Sequence, residues 1–536
     1  TDDGAAPLAG LGTMVRFVLR RDCIRLPAWI IGHGLFVIYI TAALPQLAPN
    51  ERDLAGLTTL LTQPVGRMFT GPAIGLDDPT YERFFAAGYA PYLFILAALM
   101  NIFLVTRHTR AEEQSGRAEL LRAGVLGRHT MLTATLLVAA LANLAAGGVV
   151  TALTLGAGYP AHGSILVGAA TGMTGMVFAG ITAVTVQINE FSRAAAGMAG
   201  AVLGAAFVLR AVGDMAEVGG SALSWVSPLG WAAQTAPYVD NLWWPLALSA
   251  GLAAITIITA FALQDRRDFG ASLVPPRPGN PRAHPVLGHP LGLAARLQRG
   301  GFLGWGFAIL ALGVIDGLFT QAMLDAGDAM PPELQAVFGS EQLLEGYIGF
   351  LGRFVAILTA AYVVYAIQTL RTEETTGRAD AVLATAVSRP GWLGAHIVVI
   401  ALGAMVMLVV TGIGTGIAAA AVTDEASLIG EVTLAHLATA PAVLVVLGLT
   451  AGFFGILPRL MTLIGWLAVA VIAIVELFGE MLDLPDWFRA LSPLWHLPTV
   501  PVEDFDVAPF VILLGIAVAT AVIGLAAFRR RQIHIR

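Results

Sequence analysis

Stretches of about twenty apolar residues recur along the whole chain, and that pattern leaves few folds open. The 536 residues are 57% hydrophobic and only 12% charged, too little polar surface for a soluble protein of this length. A run of about 20 apolar residues is the length that crosses the hydrocarbon core as a helix. The hydropathy pattern predicts twelve spans, over residues 27–46, 87–106, 130–155, 165–187, 194–214, 243–263, 302–324, 349–369, 392–420, 432–456, 461–481 and 507–528. Each backbone must satisfy its own hydrogen bonds in lipid, and the runs are too long for barrel strands. The expected fold class is an all-α integral membrane protein.

Charge sets the expected orientation. All 30 basic residues are arginines, a bias of the kind GC-rich bacterial genomes produce. With the N-terminus inside, Arg52, Arg67, Arg83, Arg353 and Arg489, plus Arg210 near the outer end of a span, fall on the outer side, leaving 24 of the 30 inside. The positive-inside rule then places both termini in the cytoplasm, with the chain in a bacterial plasma (inner) membrane. Arg16, Arg20, Arg21 and Arg25 precede the first apolar run and no small-residue cleavage site follows it, so no cleaved signal peptide is expected. The single Cys23 excludes an intrachain disulfide and a cysteine metal cluster. Without a lysine no P-loop of the GxxxxGK[ST] kind exists, so any ATP used must be bound by another chain.

The chain reads as an internal duplication. Glu112 and Glu373 lie 261 positions apart, and Arg193 and Arg459 lie 266 apart. The pairs Arg210/Glu476, Gly213/Gly479, Asp214/Glu480, Met215/Met481 and Glu217/Asp483 keep that second offset. Ser227-Pro228-Leu229 matches Ser492-Pro493-Leu494 at 265, and Trp29 matches Trp305 at 276. Six spans per half is an even number, so the halves share one orientation about a pseudo-twofold axis along the membrane normal. The expected organisation is a first half over residues 1–263, a Pro- and Arg-rich cytoplasmic linker over 264–300, and a second half over 301–536. Leu11, Met14, Val15 and Val18 fall at i, i+3, i+4 and i+7, with Arg16 and Arg20 off the stripe, which predicts an amphipathic surface helix. Ala294 to Arg299 starts a weaker equivalent in the second half. Residues 215–242 and 482–506 carry Trp225, Trp231, Pro228 and Trp487, Trp495, Pro493, read either as interfacial aromatic anchors or as re-entrant caps.

Between the second and third spans of each half lies a polar segment that occurs twice. The first copy is Arg110-Ala111-Glu112-Glu113-Gln114-Ser115-Gly116-Arg117, the second Arg371-Thr372-Glu373-Glu374-Thr375-Thr376-Gly377-Arg378. Thr109 and Glu112 have capping-box spacing in the first copy only. In both, acidic residues occupy the first helical turn, and Glu113/Arg117 and Glu374/Arg378 are spaced i, i+4. Leu120, Leu121 and Val125, or Val382, Leu383 and Val387, supply an apolar patch after it. The expectation is a short surface helix that docks a cytoplasmic partner. A loop helix that satisfies only its own charges is the plainer alternative.

This E-E-x-x-G-R segment, at that place in a six-span unit, resembles the coupling-helix motif of ABC-2-type exporter permeases. The N-terminal surface helix resembles their elbow helix, and the tryptophan-bearing segments before the sixth spans resemble their outer re-entrant helices. The fused two-half form is similar to actinobacterial antibiotic-export permeases of the tetronasin-resistance type. The resemblance implies an ABC-2 (type V exporter-like) fold, with Glu112, Glu113, Gly116, Arg117, Glu373, Glu374, Gly377 and Arg378 as the ATPase-coupling positions. It implies two copies of a separate ABC ATP-binding subunit, as a homodimer, with ATP and Mg bound there and no cofactor in this chain. This chain is then a transport subunit and not an enzyme, moving hydrophobic or amphipathic drugs and antibiotics, or lipids.

Arg210 and Glu476 carry opposite charges at matched positions in the fifth and eleventh spans. Each costs roughly 2.5–3.5 kcal/mol at the bilayer centre. Two readings stay open: an outer gate in which they pair, or snorkelling to the outer interface. Gly200 and Gly204 form a GxxxG, and Gly412, Gly414 and Gly416 recur in another span, which predicts close helix packing. His33, Gln187 and Glu431 sit at membrane edges without a chain of acids to link them as a proton relay. No metal, nucleophile or phosphate-cradling constellation is read, and no nucleic-acid partner is expected. The competing function is a proton-coupled secondary drug transporter, which shares the layout of two six-helix halves. Its drug antiporters carry G-x-x-x-D-R-x-G-R-R after the second span, where this chain has E-E-x-x-G-R.

Overall fold

Packing, more than hydropathy, decides which of the long helices lie at the centre. The structure, a computed structural model, describes residues 7–117, 126–268, 270–274, 282–326, 343–479 and 484–532. Among these residues twelve helices are long and apolar enough to cross a membrane, and there is no strand. The chain divides into two compact units, Thr1–Pro278 and Gly279–Arg536.

Unit 1 runs α1 (Leu11–Arg21), α2 (Arg25–Leu47), α3 (Glu51–Thr62), α4 (Pro64–Phe69), α5 (Tyr81–Gly88), α6 (Ala90–His108), α7 (Arg110–Gln114), α8 (Thr130–Gly156), α9 (Ala161–Ile188), α10 (Ser192–Ala216), α11 (Pro228–Ala233) and α12 (Pro245–Gln264). The amphipathic stripe of α1 is used as expected: Met14 and Val18 are buried while Arg16 and Arg20 are exposed. Span α9 is central and packs on α6, α8, α10 and α12. Its contact with α8 is backbone to backbone, because a Cβ on Gly168 would lie 2.4 Å from the Gly147 carbonyl oxygen, and one on Gly147 2.5 Å from that of Gly168. Asn101 of α6 and Asn143 of α8 exchange two hydrogen bonds, at 2.9 and 3.1 Å, so that neither buried amide is left unpaired. Gly175 of α9 leaves the room for this pair, since a Cβ there would lie 2.0 Å from Asn143 Oδ1.

Unit 2 runs α13 (Pro290–Leu318), α14 (Thr320–Ala326), α15 (Leu343–Thr375), α16 (Arg378–Leu383), α17 (Arg389–Thr423), α18 (Leu428–Ala438), α19 (Ala440–Ile456), α20 (Pro458–Phe478), α21 (Asp486–Arg489) and α22 (Val507–Arg530). Spans α15 and α19 are the most buried. Two small-residue seams close the unit. Gly412 and Gly416 of α17 lie against Thr433 and Ile429 of α18, and Gly455 of α19 meets Gly524 of α22. The predicted tenth span is two helices, α18 and α19, parted at Thr439 two residues before Pro441, where the missing N–H and the proline ring interrupt the ladder.

Two expectations are corrected. No separate surface helix starts at Ala294, because that segment is the beginning of α13. In the first half Asp22 follows α1 and its carboxylate is taken by Arg107 and His108, at 3.0 and 2.7 Å. The matched Gln298 instead donates to the Ala366 carbonyl at 3.0 Å and to Thr369 Oγ1 at 2.8 Å, so nothing turns the chain away. The Gly200/Gly204 pair is no packing seam, since a Cβ on either meets nothing within 4 Å. The segment after α10 is more than an aromatic anchor. Pro228, Leu229, Gly230 and Ala232 of α11 are buried, and Trp225 stacks on Trp244 at 5.0 Å. The linker prolines Pro275, Pro276, Pro278 and Pro281 lie outside the described residues.

Gly168→Leu is expected to cost about 3 kcal/mol, because the α8 backbone has nowhere to move, while Gly200→Leu leaves the protein near wild type. Thermal melts of both variants in detergent compare them directly, and equal midpoints would remove the distinction.

Candidate functional site

The repeated motif builds the same ion-pair pattern in both units, and it reaches further than the motif itself. In unit 1, α6 stops at Thr109 and the short α7 follows. Gly116 then adopts φ +72°, a left-handed conformation that costs glycine no Cβ clash. That reversal brings Arg117 back over the first acid of the motif, and Arg117 Nε donates to Glu112 Oε2 at 3.1 Å. In unit 2, α15 runs unbroken to Thr375 and Gly377 has φ +73°. Arg378 there donates to Glu373 at 2.6 and 2.9 Å. These bonds hold the Arg378 guanidinium in its charged form, above its usual range.

The second acid turns inward. Glu113 accepts from Arg110 at 2.8 Å and from both terminal nitrogens of Arg267 at 2.6 and 2.9 Å. Glu374 accepts from Arg531. Arg267 lies just after α12 and Arg531 just after α22, so each is an arginine directly beyond the sixth span of its unit. The first arginine of the motif reaches the junction of the fourth and fifth spans, at the end of the fourth in unit 1 and the start of the fifth in unit 2. Arg110 donates to the Val186 carbonyl at 3.0 Å, and Arg371 donates to the Pro458 carbonyl. A few residues thus tie together the ends of the second, fourth, fifth and sixth spans in each unit.

The bonding corrects several local expectations. The i, i+4 pairs Glu113/Arg117 and Glu374/Arg378 do not form, because the glycine turn hands each arginine to the preceding acid and frees the second acid for the interior. Thr109 caps nothing, since its hydroxyl donates one turn back to the Val105 carbonyl at 2.6 Å. Val382, Leu383 and Val387 pack on the unit 2 core instead of facing outward. Leu120, Leu121 and Val125 lie outside the described residues. Arg267 and Arg531 were missed by sequence reasoning; their offset of 264 fits the duplication but is shared by Arg266 and Arg530, so it does not single them out.

The two hubs differ in burial. In unit 1 Arg21 of α1 also pairs with Glu112, whose side chain is 1% exposed. In unit 2 Glu373 is 14% exposed, while the motif arginines are alike, Arg117 55% and Arg378 58% exposed. Hub 1 also reaches further, through Arg267 Nε, which donates to Gln187 Oε1 at 2.6 Å, and through the exposed Gln114, whose Oε1 accepts from Ser192 Oγ at 2.8 Å.

Of the two open readings for Arg210 and Glu476, neither is needed to account for the charges, because each finds a partner within its own unit. Arg210 Nη1 meets Asp214 Oδ2 at 3.0 Å, both side chains 1% exposed, and Nη2 donates to the Met68 carbonyl at 2.8 Å. It does not snorkel, because a carboxylate one turn along the same helix supplies the countercharge. Asp214 Oδ1 accepts from Ser224 Oγ at 2.6 Å. Glu476 Oε2 meets Arg353 Nη1 at 2.5 Å, and its Oε1 accepts from Ser492 Oγ at 2.8 Å. In each unit a charged pair and a serine staple the fifth span to the segment that follows it. Glu480, Met481 and Asp483 of the matched pairs lie outside the described residues. Among the described residues no group of three His, Cys, Asp or Glu is placed to hold a metal.

Arg210→Met or Asp214→Leu alone strands a buried charge and is expected to cost ~3–5 kcal/mol, while the double variant loses less than either single one. Thermal unfolding of the three variants closes this cycle, and additive losses would show that the two groups act independently.

The sequence relationships follow the same two-part layout. The family described as "Multidrug efflux system permease Rv1217c, C-terminal domain" matches residues 11–263 and 287–529. The chain is 34% identical over 527 residues to the "Multidrug efflux system permease protein Rv1217c" of Mycobacterium tuberculosis, with 97% of this chain and 95% of that protein covered. The family match takes in both copies of the motif and stops short of Arg267 and Arg531, and the chain belongs to this family of multidrug efflux system permeases.

Proposed function

We propose that the chain is the permease subunit of an ATP-driven ABC exporter that moves hydrophobic or amphipathic compounds, drugs and antibiotics foremost, out of the cell. A separate ATP-binding subunit, present as a homodimer with its own ATP and Mg, supplies the energy. The observation that carries this reading is the doubled hub. A displacement of α7 is passed by Glu113 to Arg267 and by Arg110 to the end of α9, so the second, fourth, fifth and sixth spans respond together. In unit 2, Glu374 with Arg531 and Arg371 with Pro458 do the same. Buried ion pairs of this kind are stiff in a low dielectric, since separating them leaves unpaired charge. ATP-driven closure beneath both hubs then biases two states that differ in affinity for cargo. The same reading puts the hubs and both termini on the cytoplasmic side of the plasma membrane. The "Multidrug efflux" name of the relative supports the cargo class.

One observation favours proton coupling as a second reading. Asp316 lies in span α13, and its buried Oδ2 has no hydrogen-bond partner among the described residues. Under that reading Asp316→Asn abolishes efflux driven by a proton gradient. Under the ATP reading the variant keeps ATP-dependent efflux.

The deciding experiment is co-purification with the ATP-binding subunits encoded alongside, then ATPase and transport assays in lipid. The expected result is a stable complex in which Glu113→Gln combined with Glu374→Gln keeps basal ATPase but loses at least about tenfold in transport. Efflux that survives ATP depletion with an intact proton gradient, with no ATPase chain bound, would overturn the proposal.

A further inference from the structure

The first span carries a groove that neither the hubs nor the outer staples use. It encloses about 450 Å³ and is lined by Arg25, Trp29, Gly32, His33 and Phe36 of α2 and by Leu96 of α6. Arg25, Trp29, Gly32 and Phe36 are spaced i, i+4, i+7 and i+11, so they share one helix face over about 16 Å at 1.5 Å per residue. Gly32 forms an open floor, because a Cβ there would meet nothing within 4 Å. Trp29 is held as a wall by stacking on Phe103 at 6.2 Å. His33 is fixed by a 2.8 Å hydrogen bond between its Nδ1 and the Trp29 carbonyl.

The groove is apolar along its length and cationic at one end. Arg25 is exposed, and none of the ion pairs among the described residues involves it. It stands where α2 begins, next to the amphipathic α1, which places it at the depth of lipid headgroups. The neighbouring α2 residues Ile31, Leu35, Ile38 and Tyr39 are exposed apolar side chains, so the groove opens beside a lipid-facing surface. The second half has no counterpart. At the Trp29/Trp305 offset, Arg25 becomes Gly301 and His33 becomes Ile309.

We propose that this groove holds an anionic phospholipid, with one acyl chain along Trp29, Gly32 and Phe36 and its phosphate on the Arg25 guanidinium. The guanidinium fork matches phosphate oxygens, and its charge is the feature that separates anionic from zwitterionic headgroups. A single arginine near an anionic surface contributes ~1 kcal/mol, about a fivefold preference. The assignment concerns equilibrium binding and does not depend on the energy source of transport.

Trp29 makes the test direct. The full chain is placed in phosphatidylcholine nanodiscs containing brominated phosphatidylglycerol or brominated phosphatidylcholine, and Trp29 quenching is taken as the difference from Trp29→Phe. The brominated phosphatidylglycerol is expected to quench at about fivefold lower mole fraction. Arg25→Gln removes that preference and Arg25→Lys keeps most of it. Gly32→Phe fills the floor and lowers quenching by both lipids. Equal quenching by the two lipids in the wild type, or a preference that survives Arg25→Gln, overturns the proposal. Preferential quenching by a brominated free fatty acid also overturns it, and makes an acidic amphipathic cargo the occupant. Arg25 is a surface position, so its variants keep the test decisive if Gly32→Phe does not fold.

Discussion

The ion pair between the second acid of each motif and the arginine beyond the sixth span is the contact on which the rest of each unit's membrane-end architecture depends. Glu113 with Arg267 and Glu374 with Arg531 fasten the chain's last helix in each unit to its second. Charges buried at such a junction are costly unless paired and hydrogen-bonded. Glu113 is fully engaged by two guanidinium groups, and Arg531 is also covered by the rings of Phe454 and Phe528, each 5.1 Å from it. Residues 271–274 are carried along. Ala271 gives its carbonyl to Arg110 and Arg267, and Leu273 and Val274 donate to the carbonyls of Gln187 and Ile188 at the end of α9. Once this junction is set, the helix ends around it have few alternative positions.

The other end of each unit is fixed by a different device. Between the ends, lipid supplies no hydrophobic force to drive one helix against another, so contact rests on close packing and internal polar bonds. The Gly147/Gly168 and Gly455/Gly524 contacts provide the first, and the Asn101/Asn143 exchange provides the second. At the far end the charge pairs Arg210/Asp214 and Arg353/Glu476 clamp the segments that follow the fifth spans. Each unit is thus pinned by ions at both ends and by small residues in the middle. Such a helix bundle transmits a push at one end as a shift of packed helices, because close-packed interfaces do not compress.

Much of this was legible in the sequence. Spans such as Thr130–Gly156 and Ala161–Ile188 announce themselves by length and hydropathy, since lipid leaves no other backbone solution. The motif was legible because its residues are contiguous and occur twice. Its partners were not, because Arg267 follows Glu113 by 154 positions and Arg531 follows Glu374 by 157, and no local spacing rule reaches that far. Local rules also misled where a turn intervened. The left-handed glycine rotates Arg117 and Arg378 off the i, i+4 ridge, so helical arithmetic named the wrong acid. Arg210 shows the same limit. Its charge was conspicuous against the apolar span, yet the partner was Asp214, one turn away and already in view, and the matched Glu476 drew attention because symmetry is easier to see in a sequence than burial.

Duplication kept the skeleton and let the surfaces diverge. Both units retain the glycine turn, the inward acid and the arginine past the sixth span, which are the parts that the spans must share. What differs lies outside that skeleton. Hub 1 gains Arg21 from α1, which Asp22 ends beside Arg107 and His108, whereas the matched residues Leu297 and Gln298 lie inside α13 and Glu373 pairs with Arg378. Two adjacent substitutions therefore account for two differences: Gln298 in place of Asp22 removes the helix stop, and Leu297 in place of Arg21 removes the second arginine from the hub. The motif arginines stay alike, Arg117 being 55% and Arg378 58% exposed, so the divergence between the hubs lies in how far the first acid is enclosed, 1% exposed at Glu112 against 14% at Glu373.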